Sequence, residues 1–468
     1  MKNYKGKQEN RTKQETNTTF SLGQKIEVEI KKIGINGEGV GYYNKQVIFI
    51  PGGLPEEKIV VEVVKIGKNH AEGKIIQIKE EGKGRIEPLC PVYEQCGGCS
   101  LQHLDYQQQL NAKYLLVKEA VEKYANLKNM EIRKTIGMDN PWDYRNKAQL
   151  PVKEIKGKVL TGLYEVGSHK LVEMDTCIIQ HPKVNETIQI AKEIIQELKI
   201  PIYNERTNKG VIKHLVARVG FETEETQLTI ITYTESLPKV KELVLELRHR
   251  LPYFKSIMQN INPMKTSIVF GNKTKLLWGE EKIVERLENI EFTLSPRAFF
   301  QLNPEQTVKL YNEVKKAAAL TGKEVIVDAY CGVGTIGLWL AKNAKEVHGM
   351  DIIPEAIKDA TENAKAGGFD NVKYTLGKAE ELLPQWVKQG FQVDALIVDP
   401  PRTGLDQKLL DTILEVKPKK LIYVSCNPST LGKDLNILKK DYKVEYMQPV
   451  DMFPQTSQVE TVVKLQKK

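Results

Sequence analysis

Between residues 24 and about 80, apolar and polar positions alternate in short runs: QKIEVEIKKIG, INGEGVGYY, QVIFIPGG and EKIVVEVVKIGKNHAEGKIIQI. β-Branched alternation interrupted by Gly and Pro about every eight to twelve residues predicts short strands closing into an OB-like β-barrel over residues 22–80. Barrels of this type often bind RNA, and Lys65, Lys68 and Lys74 favour that use, although a structural spacer would carry the same periodicity. Residues 1–21 are polar and charged almost throughout and predict a disordered tail.

Beyond the barrel, helical spacing runs from about Tyr106 to Asn126, a helix placed to pack on a later domain. Residues 81–290 mix strand and helix patterns without one dominant period, giving an α+β central domain. From Glu291 the pattern sharpens. EVIVDAY, a glycine turn and TIGLWLAKNA lead to EVHGMDI and PEAIKDATENAKAGG; DALIVDPP, DQKLLDTILEV and KKLIYVSC follow. Strand and helix alternating at this spacing predict a parallel, doubly wound, Rossmann-like α/β domain over residues 291–468. YKVEYMQPV and VETVVKL, joined by a loop rather than a helix, predict an antiparallel hairpin at the sheet edge.

Composition narrows the class. No apolar run approaches the ~18 residues of a membrane span. The N-terminus has no apolar stretch for a signal peptide, so a cytoplasmic, non-membrane protein is expected, with no obligate protein partner. A formal net charge of +9 is compatible with nucleic-acid binding without establishing it. Of six cysteines, Cys90, Cys96, Cys99 and Cys177 precede the α/β domain, and without a secretion signal such clustering favours metal or redox chemistry over disulfides. The C-x5-C-x2-C spacing with one remote thiol suits an iron–sulfur site or zinc.

Three motifs bear chemistry. Gly332-Val333-Gly334-Thr335-Ile336-Gly337 lies between a strand and a helix, where a nucleotide-type ligand is held, and Asp351 ends the next strand in position to accept from ribose hydroxyls. This fits a dinucleotide as readily as S-adenosylmethionine. Asp399-Pro400-Pro401-Arg402 ends the fourth strand of the domain; its prolines remove two N–H donors, leaving carbonyls and a carboxylate to face the crevice. Amine methyltransferases end a similar loop with an aromatic residue, a place Arg402 takes here. Ser425-Cys426-Asn427-Pro428 puts a thiol at a helix N-terminus, where the helix dipole is expected to lower its pKa. Such a thiol suits addition to carbon 6 of uracil, which makes carbon 5 nucleophilic; a general base must later remove the carbon 5 proton, and Glu460 is the candidate.

Taken together, the motifs resemble the uracil-C5 RNA methyltransferase family, specifically its iron–sulfur members acting on 23S ribosomal RNA. The resemblance covers nearly the whole chain, through CPVYEQCGGC with Cys177, YRNKAQLPV, SPRAFFQLNP, DAYCGVGTIGL, DPPRTGLD and SCNPSTL. It implies a TRAM-type barrel and S-adenosylmethionine held by Gln301, Tyr330, Asp351 and Asp399. It also implies Cys426 as nucleophile, Glu460 as general base and a [4Fe–4S] cluster on Cys90, Cys96, Cys99 and Cys177. One departure stands out: the family commonly has His two residues before the base, where this chain has Gln458. Transfer RNA is the nearest alternative substrate. A binding-only ribosome-assembly factor would not need Cys426 and Glu460, and a dinucleotide oxidoreductase would leave DPPR and SCNP unexplained.

Overall fold

The computed structural model describes residues 19–468, so most of the expected tail lies outside the described residues. Phe20, assigned to that tail, is buried in the barrel core, its ring 5.9 Å from that of Tyr43. The described residues form two compact units: those up to Glu87 with His103–Asp105, and Pro88–Gln102 with Tyr106–Lys468.

The first unit is a closed barrel of β1 (Lys25–Ile33), β2 (Gly39–Tyr43), β3 (Gln46–Ile50), β4 (Lys58–Ile66) and β5 (His70–Glu80), in the order β1-β2-β3-β5-β4. Alternation dictates the closure. In β1, Ile26, Val28 and Ile30 point inward while Lys25, Glu27 and Glu29 point to solvent. Arg85 returns from the barrel's end to the buried Glu57, whose carboxylate also accepts from Leu54 N at 2.8 Å.

The second unit carries two seven-stranded sheets. It opens with α1 (Tyr106–Ala125). β6 (Lys147–Ile155), β7 (Lys158–Tyr164), β8 (Leu171–Glu173), β9 (Ile212–Val219), β10 (Thr226–Thr232), β11 (Phe254–Ile261) and β12 (Lys273–Gly279) form the first sheet, ordered β12-β11-β10-β9-β6-β7-β8. Two helices, α2 (Pro182–Glu197) and α3 (Val240–Arg250), share an apolar core with it. A hairpin of β13 (Ile283–Leu287) and β14 (Ile290–Leu294) leads to α4 (Pro304–Ala318).

The second sheet contains β15 (Val325–Ala329), β16 (Glu346–Asp351), β17 (Val372–Leu376), β18 (Ala395–Val398), β19 (Lys420–Ser425), β20 (Tyr442–Val450) and β21 (Glu460–Lys467). Helices α5 (Thr335–Ala341), α6 (Pro354–Ala366), α7 (Ala379–Lys388), α8 (Gln407–Val416) and α9 (Pro428–Leu438) connect its parallel strands. Its order is β17-β16-β15-β18-β19-β21-β20, parallel through β19 and antiparallel beyond. Strand order reverses between β15 and β18, and open sheets of this kind hold ligands in a crevice beyond the carboxyl ends of the strands at such a point. The expected hairpin is present, but its last strand is the inner one: β21 inserts between β19 and β20 and pairs Thr461 with Ser425. That register brings Glu460 beside Cys426.

α1 packs on α9 at Gly432, where an added Cβ would lie 2.8 Å from Ala120 O, and Lys439 Nζ donates to Ala125 O at 2.8 Å. Among the described residues no helix is long and apolar enough to cross a membrane.

Candidate active site

The glycine turn after β15 is built to leave room. Gly332 has φ +55° and a Cβ there would meet nothing within 4 Å, so the backbone borders open space. Tyr330 adopts φ +66°, a conformation a bulky side chain holds only where its surroundings enforce it. Asp351, at the end of β16, accepts from Gly332 N at 3.0 Å and Ile353 N at 2.9 Å; its carboxylate is thereby fixed, with lone pairs left over. Asp328, beneath the turn, accepts from Gly337 N at 2.9 Å, while its other oxygen is buried without a hydrogen-bond partner among the described residues. Burial pushes its carboxyl up to about 8. A turn with open space beside it, a fixed carboxylate and an orphaned buried oxygen fit a nucleoside cofactor with polar groups to satisfy.

Cys426 follows β19 directly and is half-buried. Its thiol is pushed up to about 12, first by burial, then by the charges of Glu460 and Asp399, with Arg402 opposing. This corrects the expected lowering by the helix dipole: partial charge at one helix end is outweighed by desolvation and two carboxylates. Burial also raises both carboxyls, and Asp399 raises Glu460 further, so near neutral pH the pair retains a proton. Beneath them the hydroxyl of the buried Tyr311 pairs with Thr335 Oγ1 at 2.8 Å.

Asn427 joins the two chemical loops, a role not read from the sequence. Its side chain caps α9 by accepting from Ser429 N at 3.0 Å and donates to Arg402 O at 3.0 Å; Thr430 Oγ1 donates to the same carbonyl at 3.3 Å. Asp434 adds a second tie, accepting from Leu405 N at 2.9 Å and Tyr423 OH at 2.7 Å. An Asn between Cys and Pro at a strand end was the available signal. Gln301, in the loop before α4, is half-buried and its carbonyl accepts from Asn146 Nδ2 at 3.3 Å. Gln458 is exposed.

Cys90, Cys96, Cys99 and Cys177 all line one cavity of about 460 Å³, with Tyr93, Arg145 and Met174 also in its wall. Burial raises the Cys96, Cys99 and Cys177 thiols, Cys99 to about 12, and the thiols raise one another. Such a set resists ionising unless a cation compensates it. Asn185 fixes the remote member, accepting from Cys177 N at 3.1 Å and donating to Cys177 O at 3.0 Å. Among the described residues no three His, Cys, Asp or Glu side chains gather tightly enough to grip a metal ion as they stand; the sulfurs face a shared space rather than a point.

Comparison with known proteins extends this geometry. The sequence model described as tRNA (Uracil-5-)-methyltransferase matches residues 105–468, and the TRAM domain matches residues 20–76. A chain from Bacillus anthracis described as an uncharacterized RNA methyltransferase is 56% identical, covering 95% of this chain and 97% of that one. A similarly described chain from Halalkalibacterium halodurans is 54% identical over 97% of this chain and 99% of its own. Among solved structures, the Pyrococcus abyssi tRNA (uracil-54, C5)-methyltransferase in complex with S-adenosyl-L-homocysteine superposes with TM-score 0.74 at 28% identity, covering 94% of this chain and 100% of that one.

Proposed function

The chain belongs to the tRNA (uracil-5-)-methyltransferase family, and from that premise we propose that it methylates carbon 5 of a uridine in RNA with Cys426 as nucleophile and Glu460 as general base. The observation that carries this reading is the register of β21 against β19, which sets the two residues side by side with Asp399 and Arg402 at the crevice.

S-Adenosylmethionine, when bound, supplies an electrophilic methyl group. Asp351, Tyr330, Gln301 and Asp399 are the residues proposed to hold it; the open space at Gly332 and the fixed Asp351 carboxylate support this. Held neutral at rest, the Cys426 thiol gives up its proton to water as its sulfur bonds to carbon 6, a change that Arg402 favours electrostatically. Electron density then collects on carbon 5. After methylation Glu460 removes the carbon 5 proton, and its raised pKa makes it a stronger base than an ordinary carboxylate once ionised. Exposed and unable to titrate, Gln458 takes no part in that proton transfer and is available to bond RNA.

The four cysteines are proposed to hold a [4Fe–4S] cluster. Sulfur donors on the walls of one cavity fit a polynuclear group better than a single ion. The cluster would order the segment around Cys90–Cys99, and the redox-neutral reaction would draw no electron from it. With it comes the preferred substrate, 23S ribosomal RNA, bound with help from the TRAM barrel and its target uridine flipped into the crevice. Transfer RNA is the second reading, favoured by the likeness to the Pyrococcus abyssi enzyme.

Nucleoside mass spectrometry on unmodified 23S ribosomal RNA and transfer RNA, each incubated with the protein and methyl-labelled S-adenosylmethionine, tests the proposal. Label in 5-methyluridine from ribosomal RNA alone supports it in full. Label in transfer RNA alone keeps the chemistry and replaces the substrate. No label in either refutes it. Cys426→Ala should abolish labelling while RNA binding persists; residual turnover removes the nucleophile assignment.

A further inference from the structure

The chain that leaves the cysteine site is bonded to the loop that delivers Glu460. Ser100 N and Leu101 N, directly after Cys99, both donate to Gln455 O, at 3.0 and 2.9 Å, and Ser457 N donates to Ser100 Oγ at 3.1 Å. Gln109 of α1 closes the arrangement. Its Nε2 donates to Gln455 Oε1 at 2.9 Å and to Leu101 O at 3.0 Å, and Gln455 N donates back to Gln109 Oε1 at 3.0 Å. Both glutamines are buried, and Gln455 sits at φ +70°, a conformation that glutamine keeps only where its surroundings hold it. Tyr144 OH donates to Pro454 O at 3.0 Å, and the buried Tyr144 shares an apolar cluster with Cys99, Cys177 and Phe453. Apart from the bond of Gln109 to Leu101 O, each of these ends on Pro454, Gln455 or Ser457, three to six residues before Glu460 in the segment between β20 and β21.

We propose that Gln455, gripped by Gln109 and by the Ser100–Leu101 backbone, is a positioning residue that aims Glu460, so that the four-cysteine site governs the elimination step of the reaction. The inference rests on Glu460 acting as the base. In that step the carbon 5 proton passes to the Glu460 carboxylate, the electrons of the C–H bond form the carbon 5–carbon 6 double bond, and the carbon 6–sulfur bond breaks with its pair returning to Cys426 as thiolate. Addition and methyl transfer depend instead on Cys426 after β19, on the ends of β15, β16 and β18 and on Gln301 before α4, none of which belongs to this loop. A small displacement of the loop therefore slows proton removal selectively, because reactivity falls steeply with misplacement of the reacting group.

Gln109→Met keeps the side-chain volume and deletes both of its bonds to Gln455. In the full-length, metal-containing protein, the denaturation-stable covalent complex with methylated RNA should rise about tenfold at steady state, while the first-turnover rate of methyl transfer stays within about twofold. Ser100→Ala, which removes only the bond from Ser457, should raise the complex about threefold and keeps the question open to measurement if Gln109→Met fails to fold. Equal slowing of both steps, or no accumulated complex in either folded variant, overturns the proposal. Glu460→Gln run alongside separates the two claims. Accumulation there without accumulation in Gln109→Met and Ser100→Ala sinks the clamp and leaves the base standing; full turnover by Glu460→Gln removes the base and the clamp with it.

Discussion

Lys113→Met should cost the second unit about 3–5 kcal/mol, and adding Asp451→Leu should recover most of it. Lys113 on α1 and Asp451 after β20 have fully buried side chains; the ammonium bonds to the Asp451 carboxylate and, at 3.1 Å, to Phe453 O. The other Asp451 oxygen accepts from Tyr106 OH at 2.9 Å. Burial pushes Lys113 below the ordinary lysine range even with Asp451 beside it, so the lost hydration exceeds the attraction the pair regains. Losing the ammonium alone strands a carboxylate with Tyr106 in the interior, which sets the large single-variant cost. Losing both charges leaves apolar side chains in an apolar place; Tyr106 OH still accepts from Met138 N but loses its acceptor, and Phe453 O loses a donor, for a residual deficit of about 1 kcal/mol. Urea unfolding followed by tryptophan fluorescence measures this; at a slope of about 3 kcal/mol per M, the single variant's midpoint falls about 1–1.7 M. A single variant within about 1 kcal/mol of the parent, or a double variant no better than the single, would refute the reasoning.

Three further outcomes follow from the site. Because ionised Glu460 holds the Cys426 thiol up, Glu460→Gln should speed iodoacetamide alkylation of Cys426 at pH 9 several-fold, about three to ten, and Arg402→Ala should slow it; peptide mass spectrometry reads both, and the opposite signs would contradict the electrostatics. With the thiol near 12 and Glu460 raised as well, thiolate and base both become more available as pH rises. First-turnover methylation should then climb about tenfold per unit between pH 7 and 8, and a flat profile would mean that the thiol is not the titrating nucleophile. Protein purified without oxygen should carry about four iron atoms and acid-labile sulfide per chain, lost in Cys177→Ser; zinc in their place would replace the cluster.

Much of the architecture could be read from the sequence because it is written in local pattern. β1 shows its barrel face residue by residue, and the glycine turn, Asp351 and Asp399 declare themselves at strand ends. Periodicity is silent about strand order. That β21 is the hairpin's inner strand follows from pairing across the sheet, and that pairing makes neighbours of Cys426 and Glu460, residues 34 positions apart. Phe20 shows the same limit at smaller scale, an aromatic at the end of a polar stretch, buried against a ring partner in β2.

The thiol marks a different limit. A helix N-terminus is visible in the sequence, and its effect on a cysteine has a known sign. Whether that sign prevails depends on how much water the thiol keeps and which charges face it, and Asp399 and Glu460 reach Cys426 from two other strands. The resulting high pKa has a chemical use. A thiol kept neutral until the substrate arrives is guarded against oxidation and stray electrophiles, because the thiolate is the reactive form. The poor ionisation that makes Cys426 slow at rest also makes its thiolate strongly nucleophilic once formed, since nucleophilicity rises with thiol pKa. Easy expulsion favours a low thiol pKa, so the same feature that strengthens the thiolate as a nucleophile burdens its later expulsion. On the proposed mechanism that burden falls on Glu460 as base, and the Asp451–Ser457 loop leading to Glu460 is tied down by buried hydrogen bonds.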